Sequence, residues 1–175
     1  MRATPKGLRL HIGIFGRRNV GKSSLLNALT RQNVSIVSDV AGTTTDPVEK
    51  PMELLPIGPV LFIDTAGIDD EGALGKMRVE KTRRVFDRTD VALLVAEAGD
   101  WGTFEDAMVD EFAARGAPAI VVFNKADLGE PRAEVIARLK ERKIPTVRTV
   151  ATLGDGMHDV REALIGRAPE DFINA

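Results

Sequence analysis

The residues from Phe15 to Ser24 read FGRRNVGKSS, a glycine, four residues and then Gly-Lys-Ser, which is the spacing of a phosphate-binding loop. Such a loop leads from a strand into a helix, so that backbone N–H groups and the positive helix end converge on phosphate oxygens. The lysine of this pattern reaches the β- and γ-phosphates, and the serine hydroxyl binds Mg²⁺. We predict nucleotide contacts from Gly16, Val20, Gly21, Lys22, Ser23 and Ser24.

The alternative is an ordinary turn between a strand and a helix that contains glycines by chance. The flanking residues count against it, because an apolar run over Leu8 to Ile14 precedes the loop. A helical stripe of Leu25, Leu26 and Leu29 follows it. The context therefore favours a nucleotide site.

A second motif, Asp-Thr-Ala-Gly, begins at Asp64, where a third apolar strand is expected to end. A carboxylate fixed at a strand end can hold Mg²⁺ opposite Ser23, directly or through water. Gly67 has no side chain, so its N–H can approach the γ-phosphate closely. Alone this motif is a weak signal. Placed after a strand and downstream of a phosphate loop, it predicts the part of the nucleotide site that binds Mg²⁺ and the γ-phosphate.

A third motif, Asn124 to Asp127 (NKAD), would select the base. A fixed Asp127 carboxylate can accept hydrogen bonds from N1–H and the exocyclic amine of guanine, whereas adenine would leave a buried carboxylate unpaired at a cost of roughly 1–3 kcal/mol per group. The Lys125 stem can cover the purine face, and Asn124 can tie this loop to the phosphate loop. A polar turn after a strand is the alternative. With the other motifs present, the sequence predicts a guanine nucleotide.

Strands and helical stretches alternate along the chain, which predicts an α/β fold with a mainly parallel six-stranded sheet between helices. Parallel sheets bind ligands beyond the carboxyl ends of their strands, and all three motifs fall there. The predicted strands cover Leu8–Phe15, Val48–Leu55, Val60–Asp64, Val91–Ala96, Ala119–Phe123 and Thr146–Val150. The first predicted helix is opened by the phosphate loop and ends at about Thr30 or Arg31. Two more cover about Lys76–Asp87 and Phe104–Arg115, and a fourth has Pro131 in its first turn and ends at about Arg142. The last helix contains Val160, Leu164 and Ile165.

The composition supports one soluble domain over residues 1–175. The net charge of −2 gives no reason to expect nucleic-acid binding, which normally needs a basic patch. The absence of cysteine excludes disulfides and thiolate-held clusters within these residues. No signal peptide or membrane-length apolar run is present, so we expect a cytoplasmic location and no membrane partner.

With these motifs the chain resembles the Era and TrmE/MnmE-like P-loop GTPases, which implies a Ras-like GTPase fold within the P-loop NTPases. More narrowly, it is similar to the GTPase domain of the HydF family, which acts in FeFe-hydrogenase maturation. The narrower resemblance rests on Ala41 to Gly75, where Thr45 stands in place of an arginine of the wider family. HydF proteins carry further domains for dimerisation and for an iron–sulfur cluster, which this chain lacks. It is either a fragment or a free-standing relative.

The resemblance implies roles that spacing does not give. Thr44 would join Mg²⁺ and the γ-phosphate, so that Lys22, Thr44 and Gly67 form the catalytic set and Ser23, Thr44 and Asp64 the magnesium set. The Ala151 N–H would contact guanine O6, although Val150-Ala151-Thr152 only partly matches the family's Ser-Ala-Lys. Asn19 would contact the nucleotide and help to bind K⁺. Ser38, Val40 and Thr43 would complete that K⁺ site, unless Asn19 merely occupies a variable position.

One departure from the family's pattern concerns hydrolysis. Ile68 occupies the position of a water-orienting glutamine in Ras-like enzymes, so intrinsic turnover should be slow. Asp69, Asp70 or Glu71 could replace the glutamine, although solvated loop acids are the simpler interpretation.

Three functional hypotheses follow from the sequence. The first is a Mg²⁺-dependent, K⁺-stimulated GTP switch in hydrogenase maturation, whose partners are other maturases or attached domains, with a dimer through the switch regions. The second is an Era- or TrmE-like GTPase in ribosome assembly or tRNA modification. The third is a scaffold that holds GDP or GTP without turnover.

Overall fold

A computed structural model describes residues 9–17, 20–30, 48–54, 57–64 and 85–168, with the backbone alone described at positions 48 and 64. The strands are β1 Leu10–Phe15, β2 Val48–Leu54, β3 Gly58–Asp64, β4 Val91–Glu97, β5 Ala119–Asn124 and β6 Thr146–Arg148. The helices are α1 Lys22–Thr30, α2 Thr103–Arg115, α3 Ala133–Glu141 and α4 Met157–Arg167, together with a 3-10 turn at Ala151–Leu153. Residues 85–88 are also helical.

The six strands form one sheet in the order β2-β3-β1-β4-β5-β6. β2 pairs antiparallel with β3, and the other four neighbouring pairs are parallel. This confirms the predicted α/β architecture with its mainly parallel sheet. It also brings the carboxyl ends of β1, β3, β4 and β5 to one edge, so the segments that follow them can share a site.

The interior strands β1, β3, β4 and β5 are largely buried on both faces, and their side chains alternate between two cores. On β4, Val91, Leu93 and Val95 belong to one core, and Ala92, Leu94 and Ala96 to the other. The first core includes Leu25, Leu26 and Leu29 of α1 and Val160 and Leu164 of α4. The second includes Met108, Val109 and Phe112 of α2 and Val135 and Leu139 of α3. α1, the helix of the phosphate loop, is thus held against the sheet by its apolar stripe.

Several boundaries differ from those predicted, and three of the differences have a clear structural reason. β3 begins at Gly58, two residues before the predicted Val60, because Gly58 pairs with Leu54 of β2 in an antiparallel hairpin. Pro131 precedes α3 and does not lie in its first turn, since the extended residue Arg132 is the N-cap. β6 ends at Arg148, two residues early, because the chain then enters the 3-10 turn.

Candidate nucleotide-binding site

The phosphate loop leaves β1 after Phe15, and α1 begins at Lys22. The Leu25 N–H donates to the Gly21 carbonyl at 2.8 Å, which closes the first helical turn directly on the loop. The side chain of Lys22 lies back over the loop, and its Nζ donates to the Gly16 carbonyl. The ammonium group is therefore placed at the concave side of the turn, where a phosphate would be bound.

The two motif glycines are required by close contacts. Gly16 would carry a Cβ 2.5 Å from the Val95 carbonyl oxygen, so β4 packs directly against the loop. Gly21 has a φ of +99°, and a Cβ there would overlap Nδ2 of Asn124. A side chain at Gly16 would force the loop away from β4, and one at Gly21 would displace the Asn124 amide. Both glycines thus serve the packing of the loop as well as access for a ligand.

Asn124 connects the phosphate loop to the loops that follow β5 and β6. Its Nδ2 donates to the Val20 carbonyl at 2.8 Å, as the sequence predicts for a tie to the phosphate loop. Its Oδ1 accepts from the Thr149 hydroxyl at 2.9 Å and from the Ala151 N–H at 3.0 Å. Because Asn124 and Thr149 are 2% and 1% exposed, these bonds are shielded from water and set the spacing of the loops.

The base loop after β5 has an unusual backbone. Lys125 lies at φ +56°, a left-handed conformation that is uncommon for residues other than glycine. Its Nζ donates to Glu97 Oε1 at 2.7 Å, so the end of β4 holds the tip of the side chain whose stem we expect to cover the purine. The Ala98 N–H donates to the Asn124 carbonyl at 2.8 Å and joins the same two segments again. The end of β4 thereby supports the loop through two hydrogen bonds.

A cavity of about 600 Å³ extends from the phosphate loop to the base loop, a size within the range of small-molecule sites. It is lined by Gly21, Lys22, Ser23, Ser24, Asn124, Lys125, Asp127, Leu128, Val150, Ala151 and Thr152. Lys22, with a cationic group, and Asp127, with an anionic group, both line it. A nucleotide with an anionic tail and a hydrogen-bonding base would meet a suitable group in each loop.

The structure brings most of the predicted contact residues together and adds two details. Gly16, Val20 and Gly21 form the loop itself, and Lys22, Ser23, Ser24, Asn124, Lys125, Asp127 and Ala151 line the cavity. We expected a buried Asp127 carboxylate, but Asp127 is exposed. The free-energy penalty for a wrong base therefore arises only when a bound base covers this carboxylate. The Ala151 N–H, predicted to contact guanine O6, already donates to Asn124, so that contact would have to share or displace this bond.

The metal and switch residues are described less completely. Ser23 is exposed on α1, and Asp64 ends β3 at the same sheet edge. Hydroxyl and carboxylate oxygens are a donor set that suits Mg²⁺. The remaining predicted residues lie outside the described ranges, namely Asn19, Ser38, Val40, Thr43, Thr44, Gly67, Asp69, Asp70 and Glu71. Their roles stay predictions.

Thr149 is a residue of the site that sequence reasoning missed. Its hydroxyl faces Asn124, while its backbone N–H and carbonyl bond to Phe123 and Ala126 at 2.9 and 3.0 Å. The only sequence signal is a threonine just before the Val-Ala-Thr segment. The structure shows that this threonine fixes the distance between the two base-side loops.

The fold and the cavity define a P-loop nucleotide-binding domain, and comparison with known proteins gives its family. Residues 11–125 match the family described as "50S ribosome-binding GTPase". The chain belongs to this family and is a GTP-binding GTPase domain.

Two related proteins agree with this assignment. The chain is 45% identical to the tRNA modification GTPase MnmE of Exiguobacterium sibiricum over 120 residues, which covers 68% of this chain and 26% of that protein. It is 37% identical to the GTPase Der of Wolinella succinogenes, over 93% of this chain and 36% of that protein. The chain thus spans about a quarter to a third of the length of these relatives.

Solved structures show the same fold. Era of Aquifex aeolicus, crystallised with GDP.AlF4−, superimposes with a TM-score of 0.70 at 28% identity, over 91% of this chain and 56% of that one. A second Era structure, in complex with MgGDPNP and a segment of 16S ribosomal RNA, gives a TM-score of 0.68 at 29% identity over the same shares. Within the described part of the chain, no helix is long and apolar enough to cross a membrane.

Proposed function

We propose that this chain binds GTP and GDP in the 600 Å³ cavity and hydrolyses GTP as a molecular switch. The observation that carries the proposal is the bond from Asn124 Nδ2 to the Val20 carbonyl. Through it, the loop that would bind phosphates and the loop that would select the base are held at a fixed distance. A site preorganised in this way loses less entropy when a ligand of matching length binds.

The phosphate end works through groups that are already in place. Lys22 Nζ rests on the Gly16 carbonyl and would exchange this acceptor for phosphate oxygens when a nucleotide enters. The backbone at the start of α1 would supply N–H donors and the positive end of the helix. Lys22→Ala removes the positive charge, so we expect it to abolish triphosphate binding while the domain stays folded.

The base end works through Asp127. Its carboxylate would accept the N1–H and the amine of guanine, and Asp127→Asn would remove one of these acceptors and present an N–H to the amine. We expect GTP affinity to fall by at least about tenfold, since hydrogen bonds to charged groups contribute about 1.5–3 kcal/mol. Xanthosine triphosphate, which has an oxygen in place of that amine, should gain affinity for the same variant.

Titration calorimetry with GTP, ATP and xanthosine triphosphate in Mg²⁺ tests this assignment. Asp159→Asn is the matched control, because Asp159 is also exposed but lies on α4. An unchanged preference for GTP over ATP in the Asp127→Asn variant would contradict base selection by this residue. Absence of any GTP or GDP binding by the folded wild type would overturn the proposed function as a whole.

Ser23, Asp64 and Thr44 would hold Mg²⁺, which would supply charge neutralisation during GTP hydrolysis. Ile68 cannot orient water, so we expect slow turnover in the isolated domain.

We also propose the K⁺ site of Asn19, Ser38, Val40 and Thr43, because a cation there would neutralise charge as an arginine finger does. Phosphate release measured in KCl and in NaCl tests it. Release in neither salt would favour a binding-only scaffold.

For the wider role, the comparisons favour the second hypothesis from the sequence over the first. The names and titles of the relatives reported above refer to tRNA modification and to ribosomal RNA, and none of them refers to hydrogenase maturation. We therefore propose that the switch serves tRNA modification or ribosome assembly. Gel-shift assays with transfer and ribosomal RNA test this role, and pull-down of hydrogenase maturases without RNA binding would support the HydF-like alternative.

A further inference from the structure

Arg17, the residue after the first glycine of the phosphate loop, is bound to a helix that the nucleotide would not touch. Its Nη2 donates to Oε1 of Glu105 at 2.7 Å, across 88 positions of sequence. Its Nη1 lies 3.6 Å from Asp100 Oδ2, and its guanidinium lies 5.9 Å from the centre of the Phe104 ring. The side chain thus leads from the loop towards the beginning of α2.

The acceptor end of this contact is fixed. Glu105 is buried, with 1% of its side chain exposed, and its Oε1 also accepts the Gly102 N–H at 2.8 Å. The latter bond caps α2, so Glu105 cannot turn away without uncapping the helix. Arg17 also packs closely on Gly102, where a Cβ would lie 2.7 Å from Nη2. The Arg17 side chain, which extends from the phosphate loop, is therefore bound to a carboxylate that is itself fixed at the beginning of α2.

The ion pair between Arg17 and Glu105 is not well explained by a contribution to the stability of the fold. Burial raises the pKa of the Glu105 carboxyl, while the Gly102 N–H and the positive charge of Arg17 act in the opposite direction. Taking a carboxylate out of water is costly, and buried ion pairs often contribute little net stability. Two charged groups also give a directed contact, which an apolar pair would not.

We propose that Glu105 is a positioning residue that holds the entry of the phosphate loop through Arg17. This inference rests on the proposed nucleotide binding. With the pair intact, the entry of the loop at Arg17 is held in place before the ligand arrives, so less of the interaction energy goes into positioning it. Breaking the pair should weaken GDP and GTP by a similar factor, because their α- and β-phosphates occupy the same loop. It should not change the preference for guanine, which depends on the loop after β5.

The test compares Arg17→Ala, Glu105→Gln and the double variant in the full chain by calorimetry with GDP, GTP and ATP. Glutamine keeps an oxygen that can accept both the Gly102 and the Arg17 N–H groups, so α2 stays capped and only the charge of the pair is lost. We expect Arg17→Ala to lose about tenfold in affinity for both guanine nucleotides, a coupling of ordinary size, and Glu105→Gln to lose less. The double variant should lose no more than Arg17→Ala, because Glu105 acts on the loop only through Arg17.

Arg142→Ala is the matched control, since Arg142 also forms an ion pair with α2, to Asp110 at 2.8 Å, but beyond the first turn of that helix and outside the cavity lining. Its nucleotide affinity should equal that of the wild type. Unchanged affinity in Arg17→Ala, or losses that multiply in the double variant, would overturn the proposal even if the melting temperatures fall. Should Glu105→Gln fail to fold, Arg17→Ala still decides, because Arg17 is one-third exposed. Failure of the wild type to bind GDP would instead refute the proposed function.

Discussion

At the scale of single residues, the bond between Thr149 and Asn124 allows a direct test of what holds the base-side loops together. Thr149→Val keeps the shape of the side chain and removes the hydroxyl that Asn124 Oδ1 accepts at 2.9 Å. We expect the free energy of unfolding to fall by about 1–2 kcal/mol, because a buried acceptor loses a partner. GDP affinity should fall as well, since the base loop is less firmly held.

Urea denaturation and calorimetry measure both effects. Thr146→Val is the control, because Thr146 lies on β6, just before Thr149 in the chain, but is exposed, and it should change stability by less than about 0.5 kcal/mol. Equal effects at the two positions would mean that the Thr149 hydroxyl has no special role.

A second residue-scale prediction concerns pH. Burial raises the pKa of Glu105 in the folded state, so the folded protein binds this proton more tightly than the unfolded chain. The contribution of Glu105 to stability is therefore greatest when it is protonated, and falls as the pH rises from the unfolded pKa through the raised folded pKa. The difference in unfolding free energy between wild type and Glu105→Gln should decrease across that window and then level off. A difference that is constant or grows with pH would contradict the direction of the shift.

The residues that sequence could identify are those that belong to local motifs. Lys22 and Asp127 stand in short patterns whose spacing alone indicates their chemistry, and the tie from Asn124 to the phosphate loop follows from the same patterns. The contact between Arg17 and Glu105 joins residues 88 positions apart, and Thr149 is 25 positions from Asn124. Such contacts depend on how the strands are ordered in the sheet, which no local pattern records.

At the scale of elements, strands of the interior were predictable because their residues are apolar on both faces. β4 and β5 were placed to within one residue at each end. The ends of strands at or next to the edges of the sheet were less predictable. β3 starts early because of its register with β2, and β6 is short because Val150 pairs with Asp155 and the chain turns back towards the cavity. These ends are set by tertiary pairing rather than by residue type.

Two glycines at helix ends lead to opposite predictions. Gly116 caps α2 at φ +65°, whereas Gly166 lies within α4 at a φ outside the left-handed range, and neither would have a Cβ within 4 Å of another group. Gly116→Ala should lower the free energy of unfolding by about 1 kcal/mol, because the left-handed conformation is strained for alanine. Gly166→Ala should raise it by up to about 1 kcal/mol, since alanine favours the helix.

Urea denaturation of both variants provides its own control, because each adds one methyl group in open space. A loss of stability at both positions, or at neither, would show that backbone conformation does not decide the outcome.

At the scale of the whole molecule, the order of the strands explains where the cavity lies. β1 is flanked by β3 on one side and β4 on the other, so the chain winds outwards in two directions from it. A crevice forms at such a switch point beyond the carboxyl ends of the strands. The phosphate loop leaves β1 at this crevice, and the loops after β5 and β6 complete it. The general position of the site was therefore predictable from the fold class, whereas the hydrogen bonds that set its dimensions were not.

Because a nucleotide would contact segments from both halves of the sheet, its binding should stabilise the whole fold. A ligand that binds only the folded state at 100 times its dissociation constant adds about 2.7 kcal/mol to the free energy of unfolding. We expect GDP to produce this gain in urea denaturation, and ADP at the same concentration to produce little, since Asp127 would then lack its partners. Lys22→Ala should lose most of the gain with GDP, because the phosphate end contributes through that charge. An equal gain from ADP and GDP would contradict selection of the base, and a gain that survives in Lys22→Ala would place the phosphates elsewhere.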